Sequence, residues 1–354
     1  MNTSQKQTPR IVIYGTGQYG LFITRFAVQK GWPIVAAYNR AGSKVGQDIG
    51  RLAGLNRDLG VVVQDCDLAE FSKLQADIGI VTMTNSLAHN MPAYKRLLGA
   101  GLNVLCHGGQ SYYPAASDAV LAAEIDALAK KNNVTFTGGG IWDMSRIWAG
   151  ILVAGPCTEL TSLFHSSITD MHGQAHTKEQ LQQTGAGYSV DEYNAMGFDK
   201  SMIGGGYRTI PQQVLVALGY TVTGHHSFIE PVIFDMDIES PMIGKVPAGI
   251  CVGSRYISEI ETKEGVTARS EIDTRLFKPG EVEHMFWSVQ GKPVTRIRVE
   301  RDDSAHATAA NLFNRIPDVI AAPPGIVIVS QMGPLKHSAL SAHVMNDSST
   351  NAVS

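Results

Sequence analysis

The sequence predicts an α/β protein, with a doubly wound parallel sheet followed by a second, α+β domain whose sheet is open and mostly antiparallel. Three observations carry this. The apolar run Arg10-Ile11-Val12-Ile13-Tyr14 breaks into the glycine-spaced turn Gly15-Thr16-Gly17-Gln18-Tyr19-Gly20 and then into a helical pattern. Apolar runs alternate with helical patterns up to about residue 137, as crossover helices between parallel strands require. Beyond Gly138-Gly139-Gly140 the period shortens to two. Val266, Ala268, Ser270, Ile272, Thr274 and Leu276 share one face, and Thr267, Arg269, Glu271, Asp273 and Arg275 the other, as in a sheet covered on one side.

Taken in order, the helix after the turn carries Phe22 and Phe26 on one face and stops near Gly31, and Pro33-Ile34-Val35-Ala36-Ala37-Tyr38 closes the βαβ unit. Further strands are predicted at 60–63, 78–82, 102–106 and 134–137, with helices around 92–101 and 118–132. In the second domain Thr295, Ile297 and Val299 alternate with Arg296, Arg298 and Glu300. A helix with Pro211 in its first turn carries Ile210, Val214 and Leu218 and stops at Gly219. Ser304 is read as the cap of a last helix with Ala305, Ala309, Leu312, Phe313 and Ile316 on one stripe, ahead of Pro317. The expected division is a dinucleotide-binding domain over 1–145, a substrate and dimerisation domain over 146–302, a helical return to the first domain over 303–340, and a flexible tail over 341–354.

Composition narrows the partners. A formal net charge of −3 with no block of like charges argues against a nucleic-acid surface and a basic membrane-binding face, leaving a small molecule. Cys66, Cys106, Cys157 and Cys251 are scattered without a C-x-x-C pair, which argues against disulfides and a zinc knuckle and for a reducing compartment. Residues 1–9 lack an apolar leader core and no window is apolar enough to span a bilayer, so a cytoplasmic protein is expected. Paired metal-ligand spacing and a G-x-S-x-G elbow are both missing, which removes metallohydrolase and serine-hydrolase chemistry and leaves no metal role.

The glycine fingerprint points to a dinucleotide on a Rossmann fold. Gly15 permits the tight turn, Gly17 lets backbone approach a pyrophosphate, and Gly20 lets the helix lie close to the strand, with Thr16, Gln18 and Tyr19 completing the loop. An acid at the end of the second strand would favour NAD by repelling a 2′-phosphate. Here Asn39 and Arg40 are followed by Ser43 and Lys44, which predicts NADPH/NADP+, with NADH the second candidate. The ligand crevice lies outside the carboxyl ends of the strands, which brings in three loops. Met83, Thr84 and Asn85 come from the first; His107, Gly108 and Gly109 from the second, the two glycines being read as bare backbone for the nicotinamide. Gln110 and Tyr112 then project beyond. Trp142, Met144 and Trp148 form either an apolar wall or part of the core, and His165 is either a pocket group or a satisfied structural histidine.

Three segments carry a family resemblance: the fingerprint 12–20, Asn103-Val104-Leu105-Cys106-His107-Gly108-Gly109, and Asn314-Arg315-Ile316-Pro317-Asp318-Val319-Ile320-Ala321-Ala322-Pro323-Pro324-Gly325. From about Arg10 to Leu340 the chain resembles the native amine dehydrogenases, whose relatives include diaminopentanoate dehydrogenase and, more distantly, dihydrodipicolinate reductase. The resemblance implies NAD(P)H-dependent reductive amination of an aldehyde or ketone through an imine. It also implies a homodimer built through the second domain's sheet, with the carbonyl or amine substrate held between the domains. One departure stands out. Family members carry a catalytic glutamate where this chain has Gln110, and a carboxamide hydrogen-bonds an amine without exchanging a proton. That implies impaired turnover with ammonia, through a shift to preformed imines or neutral amines, a displaced base such as His107 or Asp143, or an engineered substitution that disables turnover. Competing readings are a non-catalytic NADPH sensor and a dihydrodipicolinate reductase-like enzyme, though the latter's His-His motif with its Pro-Ser-Gly-Thr segment is missing. A sugar dehydrogenase is marked by Glu-Lys-Pro after the fifth strand, where this chain reads His107-Gly108-Gly109-Gln110.

Overall fold

The computed structural model describes residues 8–174, 177–197 and 206–337; the expected tail, 341–354, lies outside them. The chain forms two compact units, one from residues up to Met144 together with those from Asp303 onward, the other from Ser145–Asp302.

The first unit is built on β1 (Ile11–Tyr14), β2 (Ile34–Asn39), β3 (Val63–Asp65), β4 (Ile78–Val81), β5 (Asn103–Cys106), β6 (Thr135–Gly138) and the short β15 (Gly325–Ile326). They pair in parallel in the order β15-β6-β5-β4-β1-β2-β3. Strand β1 carries only apolar side chains and is fully buried, as a central parallel strand covered on both faces must be. One face packs Tyr14, Tyr38, Tyr94, Leu97 and Phe136. The other packs Ile11, Ile13, Ile23, Leu312 and Ile316. The helix Gln18–Lys30 ends where Gly31 turns left-handed at φ 71°. The helix Leu87–Gly99 starts earlier than Pro92 and carries that proline inside, with Ser86 accepting from the His89 N–H.

Strand β3 begins later than the apolar run 60–63. Gly60 turns the chain at φ 73°, and the Asp48 carboxylate takes the N–H groups of Leu59 and Val61. The last helix, Ser304–Ala321, is capped by Asp303, whose carboxylate accepts from the His306 N–H at 2.8 Å. Ser304 is its first helical residue. The helix continues through Pro317 at the loss of one backbone bond. Its buried stripe of Ala309, Leu312, Phe313, Ile316 and Val319 packs on β5 and on the helix Gln18–Lys30.

The second unit holds a six-stranded sheet of β7 (Glu159–Asp170), β8 (Val222–Ile233), β11 (Cys251–Thr262), β12 (Thr267–Arg275), β13 (His284–Lys292) and β14 (Thr295–Glu300). The order is β14-β13-β7-β12-β11-β8. Only β7 and β12 pair in parallel. Two short strands, β9 (Ile238–Ser240) and β10 (Gly244–Val246), form a separate ribbon. The period of two holds along β12 as far as Ile272 and then fails, because Asp273 and Arg275 are both buried. Asp273 accepts from Arg255 Nε at 2.7 Å, and Arg275 forks onto Glu281 at 2.7 and 2.9 Å. Ion pairing thus lets charged residues occupy positions that polarity assigns to solvent. The helix Thr209–Ala217 buries Ile210, Pro211, Val214 and Leu215, and Gly219 follows at φ 91°. Among the described residues no helix is long and apolar enough to cross a membrane.

Candidate active site

In the first unit the strand order turns at β1 and β4, which places a crevice at their carboxyl ends. The fingerprint glycines there answer to different neighbours. A Cβ on Gly20 would lie 2.1 Å from the Gly15 carbonyl oxygen, and one on Gly15, at φ 107°, would lie 3.0 Å from the Thr82 backbone. Both are glycine because the fold leaves no room. A Cβ on Gly17 would meet nothing within 4 Å, and Gly17 and Gln18 are exposed. Gly17 is also the N-cap of the helix Gln18–Lys30, which has no side-chain cap and no acid in its first turn. Its first N–H groups are thereby left for an anion. Thr16 Oγ1 is buried without a hydrogen-bond partner. An open cradle, uncapped N–H groups and an orphaned hydroxyl fit a pyrophosphate.

Of the residues after β2, Asn39 is half-buried while Arg40 and Ser43 are exposed. Lys44 differs: its Nζ donates to the Thr16 carbonyl at 2.6 Å, so it braces the loop after β1.

The loops after β4 and β5 lock together. Asn85 Oδ1 accepts from the Gly109 N–H at 3.2 Å, and its carbonyl accepts from the Gln110 N–H at 3.1 Å. Thr84 is tied to Asn90 at 3.0 Å, and Met83 packs on the core. Gly108 and Gly109 also have close protein neighbours. A Cβ on Gly108 would lie 2.7 Å from the Thr84 carbonyl, and one on Gly109 would lie 3.1 Å from the Trp142 indole, so protein neighbours alone account for both. Gln110 Oε1 accepts from the Leu87 N–H at 2.9 Å, at the start of the helix Leu87–Gly99. That bond fixes the direction of the carboxamide and takes one of the two lone pairs on its oxygen. Tyr112 does not project outward. It is 3% exposed, its ring lies 4.9 Å from that of Trp142, and its hydroxyl accepts from the Trp142 N–H at 3.2 Å. The Gly138–Gly140 turn brings these aromatic residues together and leaves them the packing role.

Neither displaced base has the needed freedom. His107 packs 5.0 Å from Tyr19 and burial lowers its pKa to about 4, so it is neutral at physiological pH. Asp143 is fully buried and takes both arms of the Arg315 guanidinium at 2.7 Å. Burial lifts its carboxyl to about 6 against the pull of Arg315, leaving an ionised, fully engaged carboxylate near neutrality. Arg315 also reaches Asp318 at 2.8 Å and the Gly333 carbonyl at 3.1 Å. Downstream, Thr135 Oγ1 donates to the Ala322 and Pro323 carbonyls, and a Cβ on Gly325 would strike Asp126. The segment 314–325 thus reads as structural anchoring. Met144, beside Asp143, is 42% exposed.

In the second unit Trp148 is half-buried at the end of the π-helical turn Asp143–Trp148. His165 is fully buried on β7 and stacks on Trp287 at 4.6 Å, with Nδ1 3.0 Å from the Phe286 carbonyl. Burial, with Arg146 adding to it, lowers its pKa to about 3, so it is a structural histidine of the sheet. A pair the sequence reading missed closes β7. Asp170 Oδ1 accepts from the His172 N–H at 3.0 Å and lies 3.1 Å from His172 Nδ1, while Nε2 is buried without a partner. The available signal was an Asp-x-His at a strand end.

A family model described as the 2,4-diaminopentanoate dehydrogenase C-terminal domain matches residues 149–349. The 2,4-diaminopentanoate dehydrogenase of Acetoanaerobium sticklandii is 24% identical over 333 residues, covering 90% of this chain and 91% of that protein. The solved amine dehydrogenase from Mycobacterium smegmatis is 28% identical with a TM-score of 0.81, covering 93% of this chain and 97% of its own. A myo-inositol 2-dehydrogenase from Lactobacillus plantarum, 16% identical with a TM-score of 0.56 over 92% and 94% of the two chains, shares the fold. The chain belongs to the 2,4-diaminopentanoate dehydrogenase C-terminal domain family, among the NAD(P)-dependent amine dehydrogenases.

Proposed function

We propose that the protein is an NADPH-dependent amine dehydrogenase that reductively aminates aldehydes or ketones. The observation that carries this reading is Gly17, spared any protein neighbour beside uncapped helical N–H groups, in a chain of this family. When bound, the nicotinamide supplies the hydride that reduces the carbon of a C=N bond. The chain's own residues hold the pyrophosphate on the Thr16–Gly20 loop, which Lys44 braces from behind. Arg40, exposed and not replaced by an acid, supports recognition of a 2′-phosphate. Gln110, its Oε1 held by Leu87, has Nε2–H donors for a carbonyl oxygen or the lone pair of a neutral imine. Those donors repel an ammonium, so Gln110 orients the reacting group and takes no proton. Assembly as a homodimer is supported by the outward face of the second unit's sheet, where Phe164, Ile168, Phe228 and Phe286 are half-buried apolar groups.

Spectrophotometric NADPH oxidation tests the reading, using cyclohexanone or a short aldehyde with ammonia or methylamine. Oxidation that requires both carbonyl and amine is expected. A flat trace for every pair, with NADPH still binding, would favour the non-catalytic sensor, which draws on the missing acid at Gln110.

A further inference from the structure

A carboxamide orients a reacting group only if it is itself held still, and at Gln110 that support comes largely from one helix. Its Oε1 accepts from the Leu87 N–H at 2.9 Å, and its backbone N–H donates to the Asn85 carbonyl at 3.1 Å. The next residue, Ser111, ends the turn Gly109–Ser111, and its Oγ lies 3.0 Å from the Tyr94 hydroxyl. Leu87 and Tyr94 both belong to the helix Leu87–Gly99. Their spacing is close to two full turns, so they share a face at roughly 10 Å along the axis. That face meets Gln110 at its side chain and again one residue on.

We propose that Tyr94 is a positioning residue for Gln110, its hydroxyl holding the Gly109–Ser111 turn, through Ser111, against the helix that receives the Gln110 side chain. This rests on the amine dehydrogenase reading, in which Gln110 orients the reacting group. Tyr94 is fully buried, as are Asn90, Cys106 and Ser111. Its hydroxyl accepts from Asn90 Nδ2 at 3.2 Å and lies 3.0 Å from Cys106 Sγ, which itself accepts from the Gly108 N–H at 3.3 Å. Asn90 in turn donates to the Thr84 carbonyl at 2.9 Å. The phenol is thus the node at which the helix, the end of β5 and the loops after β4 and β5 meet. A fully buried polar cluster of this kind contributes little net stability over apolar packing, but its directional bonds admit one arrangement. The turn also touches β6, since a Cβ on Gly138 would lie 2.1 Å from the Ser111 backbone. That contact has no direction, whereas the hydroxyl fixes Ser111, and Gln110 with it, at one place along the helix.

A phenylalanine at this position would fill the same space without fixing the turn. A small slip of the turn would swing the Nε2–H donors of Gln110 off the reacting atoms and leave the Thr16–Gly20 loop as it is. Chemistry and cofactor affinity should therefore separate.

The test compares parent, Tyr94→Phe, Gln110→Ala and the double variant on cyclohexanone with ammonia or methylamine, with NADPH binding followed by fluorescence. Glutamine labelled with heavy nitrogen reports the Gln110 carboxamide by NMR in the protein alone, its signal assigned by its loss in Gln110→Ala. In Tyr94→Phe kcat should fall by about tenfold or more while NADPH affinity stays within about threefold, and the Gln110 signal should shift or broaden. In the double variant kcat should lie within about twofold of that in Gln110→Ala, because a residue acting through Gln110 has nothing left to position. Ser111→Ala removes the same bond from its other end and carries the comparison if Tyr94→Phe does not fold. Parental kcat in Tyr94→Phe or Gln110→Ala, losses that multiply in the double variant, or an unmoved carboxamide signal would overturn the assignment. A parent that turns over no carbonyl with either amine would instead remove the amine dehydrogenase reading, and the assignment with it.

Discussion

Replacing Gly17 with Ala separates what the fold needs from what a ligand needs. Its φ of −77° is open to any L residue, and the added methyl meets no protein atom within 4 Å. Stiffening the unfolded chain contributes roughly 0.4–1 kcal/mol, and alanine's poorer fit at an N-cap offsets a similar amount. Fold stability should therefore change by less than about 1 kcal/mol. Bound phosphate would meet the methyl where it now meets bare backbone, losing at least one charge-assisted hydrogen bond at about 1.5–3 kcal/mol. That corresponds to roughly 10- to 150-fold weaker NADPH binding. Urea unfolding and fluorescence titration of the same preparation measure the two quantities. Parental NADPH affinity in a stable Gly17→Ala would refute the placement of the pyrophosphate. So would a collapse in stability, which is the outcome expected at Gly20, where the methyl would overlap the Gly15 carbonyl.

Arg40→Ala should weaken NADPH by tenfold or so while moving NADH by less than about threefold; equal losses would remove the 2′-phosphate assignment. Asp143→Asn leaves the fully buried Arg315 charge short of its bidentate partner, so a loss of about 3–5 kcal/mol is expected in urea unfolding. A loss under about 1 kcal/mol would mean that Asp318 carries the pair. Acid stability follows from His165, held at about 3 in the folded sheet against an ordinary 6.5. Because the unfolded chain takes up this proton first, its contribution is intact above about pH 6.5 and fades as the pH falls, by about 3 kcal/mol near pH 4. His165→Gln should flatten that part of the stability profile, and a parallel profile would contradict it. Gln110→Glu puts a carboxylate at the start of the helix Leu87–Gly99, which should add roughly 0.3–1 kcal/mol. Ammonium turnover in this variant should rise by about 10²-fold or more if proton transfer is the missing step, and equal rates for both forms would place the base elsewhere.

The fold was legible where one kind of force dominates. The unbroken apolar β1, the glycine spacing after it and the period-two run along β12 each report a single condition: burial on both faces, a tight turn, or a covered and an open face. Legibility ended where two conditions compete. Asp303 takes the cap that Ser304 could have taken, and Asp273 and Arg275 go inside because Arg255 and Glu281 meet them there. The glycine-spaced turn after β1 could be read in outline, but only the structure shows that Gly15 and Gly20 serve the fold while Gly17 does not. Gly108 and Gly109 could not be read further in sequence, since glycine marks a close approach without naming what approaches, and the structure adds the protein neighbours Thr84 and Trp142. Asp143 and Arg315 lie 172 positions apart, so nothing local in either segment announces their pairing. The Asp170–His172 pair is local, yet two residues straddling a strand end and a short helix follow neither period that sequence reading relies on.

The central claim is that this chain joins nitrogen to a carbonyl carbon at the expense of NADPH. Incubating it with NADPH, cyclohexanone and ammonium labelled with heavy nitrogen, and analysing the products by mass spectrometry, tests it directly. The account predicts labelled cyclohexylamine in amounts equal to the NADPH consumed. Unlabelled cyclohexanol as the product, or intact NADPH beside unreacted ketone and every other carbonyl tried, would contradict it.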